Sequence, residues 1–124
     1  MARILIIDDE ADMRAVLEQT LSVAGHEIVL AANGQEGIDQ YRATPVDVVV
    51  TDLFMPRKEG IETIREMRRH FPETPIIAMS GDAIADSLLS VAKRLGAARI
   101  LKKPFQTEEL LALVTELLCA GRPA

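Results

Sequence analysis

The stretch Val48-Val49-Val50-Thr51-Asp52-Leu53-Phe54-Met55-Pro56 decides the fold. A β-branched apolar run ends on a single carboxylate, and a proline follows shortly after. Such a run suits a strand buried on both faces, as in a parallel sheet covered by helices. Asp52 then stands where the strand leaves the sheet, at the edge where open α/β folds place their ligands.

The same unit recurs on both sides of this stretch. Ile4-Leu5-Ile6-Ile7 is a buried-strand run closed by Asp8-Asp9-Glu10. Met13, Val16, Leu17, Thr20, Leu21 and Ala24 follow at helical spacing, with Asp12 placed to cap the helix and Gly25 at the left-handed position beyond it. Residues 27–31 form a short second strand. Asn33, three before Glu36, resembles a capping box opening a helix that carries Ile38 and Tyr41. With only those two large apolar anchors, this helix is expected to be the least firmly held. Pro45 breaks the chain before a third strand over 46–51.

Gly60 opens a helix with Ile61, Ile64, Met67 and Phe71 on one side, and Arg65, Arg68 and Arg69 are expected on a solvated face. Pro72 and Pro75 bracket the turn into a strand over 76–79, closed by Ser80-Gly81-Asp82. Ile84, Leu88, Val91, Ala92 and Leu95 repeat at helical spacing up to Gly96, and a fifth strand over 99–101 ends at Lys102-Lys103-Pro104-Phe105. Thr107 is the expected N-cap of the last helix, whose inner stripe is Leu110, Leu111, Val114, Leu117 and Leu118. Leu89 and Leu113 fall outside the main stripes and read as peripheral core.

Strand and helix therefore alternate five times, which implies a parallel sheet with right-handed crossovers. The expected fold is α/β, a three-layer doubly wound (βα)5 sheet in a single domain over 1–120, with 121–124 as a tail or the start of a linker. The chain has 124 residues, 48% hydrophobic and 27% charged, which is globular rather than disordered. No apolar run approaches the roughly 18–20 residues of a membrane span, and the N-terminus lacks the pattern of a signal peptide. A net charge of −5 argues against a large nucleic-acid surface. The lone Cys119 cannot close an internal disulfide, in agreement with a cytoplasmic location.

In a parallel sheet every strand ends at the same side. Asp8-Asp9, Asp52, Ser80 and Lys102-Lys103 follow four of the five strands and so converge on one crevice. Each alone reads as a cap or a solvated turn; their joint placement at matched strand ends reads as a site. Three carboxylates this close repel one another and call for a cation. Oxygen ligands with room for water suit Mg²⁺ or Mn²⁺ better than zinc, and no His or Cys stands near these strand ends. A magnesium site of few carboxylates normally shares its ion with a phosphate, and an amine and a hydroxyl then serve as partners for phosphoryl oxygens. Since a carboxylate can be a nucleophile, the chemistry indicated is phosphoryl transfer onto a carboxylate, without deciding which one.

These residues resemble the receiver domain of two-component response regulators, over nearly the whole chain. The matching motifs are Asp8-Asp9 after the first strand, Asp52-Leu53-Phe54-Met55-Pro56 with Gly60 beyond it, Ser80-Gly81, and Lys103-Pro104-Phe105. The resemblance implies the flavodoxin-like strand order 2-1-3-4-5. It implies that Asp52 is the phospho-acceptor, taking a phosphoryl group from a phosphohistidine on a sensor histidine kinase or a histidine phosphotransfer protein. Asp9 and Asp52 would bind Mg²⁺ directly with the Phe54 backbone carbonyl, and Asp8 would act partly through a water. Lys103, aimed by a cis Lys103–Pro104 peptide, would pair with the phosphoryl group, while Lys102 would be exposed. Ser80 would bond a phosphoryl oxygen and draw its loop inward. Such a chain is a signalling receiver that assists its own phosphorylation and dephosphorylation, not an enzyme acting on an external substrate. Its output would be a downstream protein partner or an output domain, either as a monomer or through a phosphorylation-dependent dimer on its fourth and fifth helices.

The sequence departs from the family at Ile100, where an aromatic residue often stands three before the lysine, and at Lys58 and Glu59 after Met55-Pro56. The first puts the aromatic relay to the output face in question and leaves the phosphorylation chemistry in place. Other readings fit less well. A haloacid-dehalogenase phosphatase wants a second Asp where Phe54 stands, and a flavodoxin wants a hydroxyl- and glycine-rich phosphate loop where Asp8-Asp9-Glu10 stands. A receiver reduced to a scaffold would not need the acids, Ser80 and Lys103 together.

Overall fold

The expected alternation of strands and helices is present in the computed structural model, which describes residues 2–53, 60–81, 86–103 and 105–120, with the backbone alone at 60, 86–89 and 120. In chain order the elements are β1 (Arg3–Ile7), α1 (Ala11–Val23), β2 (Glu27–Ala31), α2 (Gly34–Ala43) and β3 (Val48–Asp52). They continue with α3 (Gly60–His70), β4 (Ile76–Ser80), α4 (Asp86–Leu95), β5 (Arg99–Lys102) and α5 (Thr107–Ala120). The strands lie in the order β2-β1-β3-β4-β5, each pairing parallel to its neighbours. That is the doubly wound order 2-1-3-4-5 expected from the sequence.

The two-residue period of a strand sorts the core into two layers. Leu5, Ile7, Val49, Ile76 and Ala78 face one side, where they meet Ile38 of α2, Ile64 and Met67 of α3 and Ala92 of α4. Ile4, Ile6, Val48, Val50, Ile77 and Met79 face the other, where they meet Leu17 and Leu21 of α1 and Leu110, Val114 and Leu117 of α5. All five residues of β3 and all five of β4 are buried, as the continuous apolar runs require. Leu113 and Ile100 each pack at the margin of a layer, Ile100 as an aliphatic side chain on the α2–α4 side.

Local signals behave in part as expected. Asn33 Oδ1 accepts from the Glu36 amide at 2.9 Å, and Glu36 Oε1 accepts in return from the Ala32 amide, one residue before the cap. Gly25 adopts φ +98° beyond α1. Asp12, however, is not the cap of α1. Glu10 occupies that position without a side-chain hydrogen bond, and Asp12 lies in the first turn. Nor does Thr107 cap α5. It is the first helical residue, and its hydroxyl donates to Glu108 Oε1 at 2.8 Å. β3 starts at Val48 rather than at Val46 and includes Asp52 as its last residue.

Two contacts seat α2 against its neighbours. Gly37 closes onto the Ile7 side chain, and Tyr41 stacks on Phe71 of the α3–β4 turn with ring centroids 3.8 Å apart. Arg68 is a correction to the expected solvated face of α3. Arg65 and Arg69 are exposed, but Arg68 turns inward and donates to the carbonyls of Pro72, Thr74 and Gly96. The expectations for Phe54, Lys58, Glu59, Ile84, the Lys103–Pro104 peptide and residues 121–124 lie outside the described residues, as do those for the side chains of Leu88 and Leu89. No described helix is long and apolar enough to cross a membrane.

Candidate functional site

Each site residue is placed by the strand that precedes it. Asp8 extends β1 by one residue, its amide donating to the Ala31 carbonyl at 3.1 Å. Its Oδ1 accepts from the Glu10 amide at 2.9 Å, and its own carbonyl accepts from Arg14 Nη1 at 2.7 Å. The carboxylate is thereby held while the chain turns into α1. Asp52 ends β3 opposite Met79, and the next amide, Leu53, donates to the Met79 carbonyl at 2.9 Å. Ser80 ends β4, and its carbonyl accepts from the Lys103 amide at 2.7 Å.

Asp8, Asp52 and Ser80 are 0%, 4% and 1% exposed, although all are polar. The Lys103 ammonium reaches between the first two, with Nζ 3.4 Å from Asp8 Oδ2 and 3.2 Å from Asp52 Oδ2. Burial opposes the charge on Lys103, but Asp52 and Asp8 outweigh it and raise its pKa above the ordinary lysine value. Asp8 is pushed the other way. Burial raises its carboxyl pKa, aided by the Asp52 charge, against the Glu10 amide bond and Lys103, which lower it. Among the described residues, one ammonium thus faces two acids.

A third acid lies close to these two. Oxygens of Asp8, Glu10 and Asp52 lie within 4.8 Å of one another, a donor set of carboxylates alone. Hard oxygen donors from three acids fit Mg²⁺ or Mn²⁺ and do not fit a thiolate or imidazole metal site. Ser80 Oγ adds a second observation, being buried with no hydrogen-bond partner among the described residues. A buried hydroxyl without a partner costs about 1–3 kcal/mol, so it calls for a functional reason.

The strand ends bring Asp8, Asp52, Ser80 and Lys103 to one edge, as the sequence pattern led us to expect. Asp9 is exposed and its carboxylate is outside the grouped three; Lys102 is exposed as expected. Glu10 and Arg14 were not singled out from the sequence. Glu10 carried a signal as the third acid after β1, whereas the bond from Arg14 to the Asp8 carbonyl joins two elements that only the turn of the chain brings together.

Comparisons with known proteins agree with the fold and show the family. A family model described as "Response regulator receiver domain" matches residues 4–115. A response regulator MprA from Mycolicibacterium vanbaalenii is 36% identical over 98% of this chain and 52% of its own length. The chain therefore spans about half the length of the curated relatives it matches. Among solved structures, the chemotaxis protein CheY4 of Vibrio cholerae superposes with a TM-score of 0.88 at 31% identity, covering 95% of this chain and 99% of that one. A receiver domain protein from Clostridium thermocellum superposes with a TM-score of 0.88 at 28% identity, covering 97% and 96%.

Proposed function

The chain belongs to the response regulator receiver family, the signalling modules of two-component systems, and on that premise we propose that Asp52 is its phospho-acceptor. An Asp52 carboxylate oxygen attacks phosphorus while the bond from phosphorus to the donor's imidazole nitrogen breaks, and the imidazole leaves with its electron pair and takes up a proton. The product is an aspartyl phosphate, which water later hydrolyses to restore the carboxylate and release inorganic phosphate.

The observation that carries this reading is the Lys103 ammonium between two buried carboxylates that come from different strands. Held there, it can follow the developing charge on a phosphoryl oxygen without reorganising. The Ser80 hydroxyl, without a partner among the described residues, would donate to another phosphoryl oxygen, drawing the end of β4 toward Asp52 and passing the change to the partner-binding face. Asp8 and Asp52, with Asp9 and Glu10 beside them, would hold Mg²⁺, or Mn²⁺ in its place, and the Phe54 carbonyl would complete the set by likeness to the family. The ion would neutralise phosphoryl charge that Lys103 alone cannot balance.

The donor is a phosphohistidine on a sensor histidine kinase or a histidine phosphotransfer protein. A groove of about 170 Å³ between α1 and α5, lined by Met13, Val16, Phe105 and Leu110 and reaching Lys103, supports a protein donor, since it offers apolar surface next to the residue whose ammonium contacts Asp52. The module works in the cytoplasm, assists its own phosphorylation and dephosphorylation, and signals to an output domain or a downstream protein. Neither nucleic acid nor a membrane is a direct partner of this domain.

Intact mass after incubation with acetyl phosphate tests the reading. A gain of one phosphoryl group that needs Mg²⁺ and is lost in Asp52→Asn is the expected result. A folded wild-type protein that gains nothing from acetyl phosphate or from a phosphorylated histidine donor would overturn it.

A further inference from the structure

Arg68 lies at the end of the sheet opposite Asp52, yet it touches both turns that lead into β4 and β5, the strands that deliver Ser80 and Lys103. Its Nη2 donates to the Thr74 carbonyl at 3.0 Å and to the Gly96 carbonyl at 2.9 Å. Thr74 stands two residues before β4 and Gly96 three residues before β5, so one nitrogen ties together the turns that lead into both strands. Nη1 adds the Pro72 carbonyl. Thr74 is itself anchored from α2 by a hydrogen bond between its hydroxyl and that of Tyr41.

The turn at Gly96 is built for this side chain. Gly96 has φ +130°, a conformation that L side chains rarely adopt. A Cβ there would come within 2.6 Å of Arg68 Nε and 3.0 Å of its Cγ. The guanidinium and its stem thus occupy the space that a side chain at 96 would need.

β5 needs such a tie. It is a four-residue edge strand paired with β4 alone, and of its residues only Leu101 is buried. Ala97 and Ala98, which lead into it, are small. A short strand with little buried apolar surface specifies its own register weakly. Yet at its far end the Lys103 amide meets the Ser80 carbonyl, and the Lys103 ammonium must sit within hydrogen-bond reach of Asp52.

We propose that Arg68 is a positioning residue for the acceptor site, setting the depth of β5 against β4 and so the place of Lys103 beside Asp52. It acts through the strands and touches none of the reacting groups. The activity part of this inference rests on the acceptor reading; the structural part does not.

The test compares Arg68→Met and Arg68→Lys with Arg69→Met, an exposed neighbour on the same helix, in the otherwise unchanged chain. Arg68→Lys keeps the aliphatic stem against Gly96 and a positive charge but gathers its donors on one nitrogen, without the planar fork whose two nitrogens reach the three carbonyls, so it covers the case in which Arg68→Met does not fold. Amide exchange is read residue by residue. In the Arg68 variants the Ala98 and Lys103 amides should exchange about tenfold faster than any change shared with β1 and β3 accounts for. Phosphorylation by phosphoramidate at saturating Mg²⁺, counted per folded molecule, should slow by about tenfold while the Mg²⁺ midpoint holds, since Asp8 and Asp52 sit on β1 and β3. Arg69→Met should match the wild type in both. Ala98 and Lys103 amides that move only in step with β1 and β3, or an unchanged phosphorylation rate per folded molecule, would overturn the inference. A wild-type protein that is not phosphorylated at all would instead count against the acceptor reading, and the exchange measurement would still decide the role of Arg68.

Discussion

Lys103 Nζ stands 3.2 Å from Asp52 Oδ2, joining residues 51 positions apart in the chain through an ion pair at the edge of the sheet. Asp8 lies on the other side of the same ammonium. Removing Lys103 leaves two buried carboxylates facing each other, and breaking a buried pair from one side costs about 3–5 kcal/mol. Lys103→Met should therefore lower unfolding free energy at neutral pH by about 3 kcal/mol, measured by urea denaturation. The folded-state pKa of Lys103 is raised, so its contribution is complete below the free lysine value of about 10.4 and fades as pH climbs through the higher folded value.

Asp8 works against stability at neutral pH. Its folded pKa is raised, so the native state binds its proton more tightly than the unfolded chain does. Stability is then lost as pH rises from about 3.9 through the folded value. Asp8→Asn keeps an acceptor for the Glu10 amide and removes the burdened charge. It should gain about 1 kcal/mol at neutral pH and show no such gain in acid, while binding Mg²⁺ less tightly. Urea midpoints on either side of that window, with a metal titration, check both halves.

His26 gives a pH dependence of the opposite sign. Its Nδ1 accepts from the Ala2 amide at 3.2 Å, and burial lowers its pKa below the usual histidine value. The unfolded chain protonates first, so stability present above about pH 6.5 is lost as pH falls through the lower folded value. His26→Asn should flatten the difference in unfolding free energy between roughly pH 7.5 and roughly pH 5.5.

Gly37 sets two effects against each other. Within a helix, glycine to alanine gains up to about 1 kcal/mol from propensity. Here the new methyl would overlap Ile7 Cδ1 and Cγ1 in the closed layer between α2 and β1. Overpacking costs about 1–3 kcal/mol and should win, so Gly37→Ala lowers the melting temperature. A rise would mean that Ile7 can change rotamer without loss.

Much of this was legible in the chain. Continuous apolar runs at Ile4–Ile7 and Val48–Val50 fit strands covered on both sides better than half-exposed ones, and helical spacing between such runs implied a parallel sheet. That topology alone carried Asp8, Asp52, Ser80 and Lys103 to one edge, because each closes a strand that runs the same way. Capping was less legible. Asp12 and Thr107 have the right chemistry for N-caps, but the helices begin one residue or more from where those side chains would serve.

The sequence by itself determined the strands, their common direction and the chemical class of the site, since these follow from local periodicity and from which residue types end each run. Tertiary structure decided what depends on distance between segments far apart in the chain. It set the Lys103 ammonium between Asp8 and Asp52, placed Glu10 rather than Asp9 in the carboxylate group, and left the Ser80 hydroxyl buried without a partner among the described residues. It also turned Arg68 from the solvated face of α3 onto the Thr74 and Gly96 carbonyls. No pattern along one helix could reveal that choice, because the carbonyls it satisfies belong to two turns that meet only when the sheet has closed.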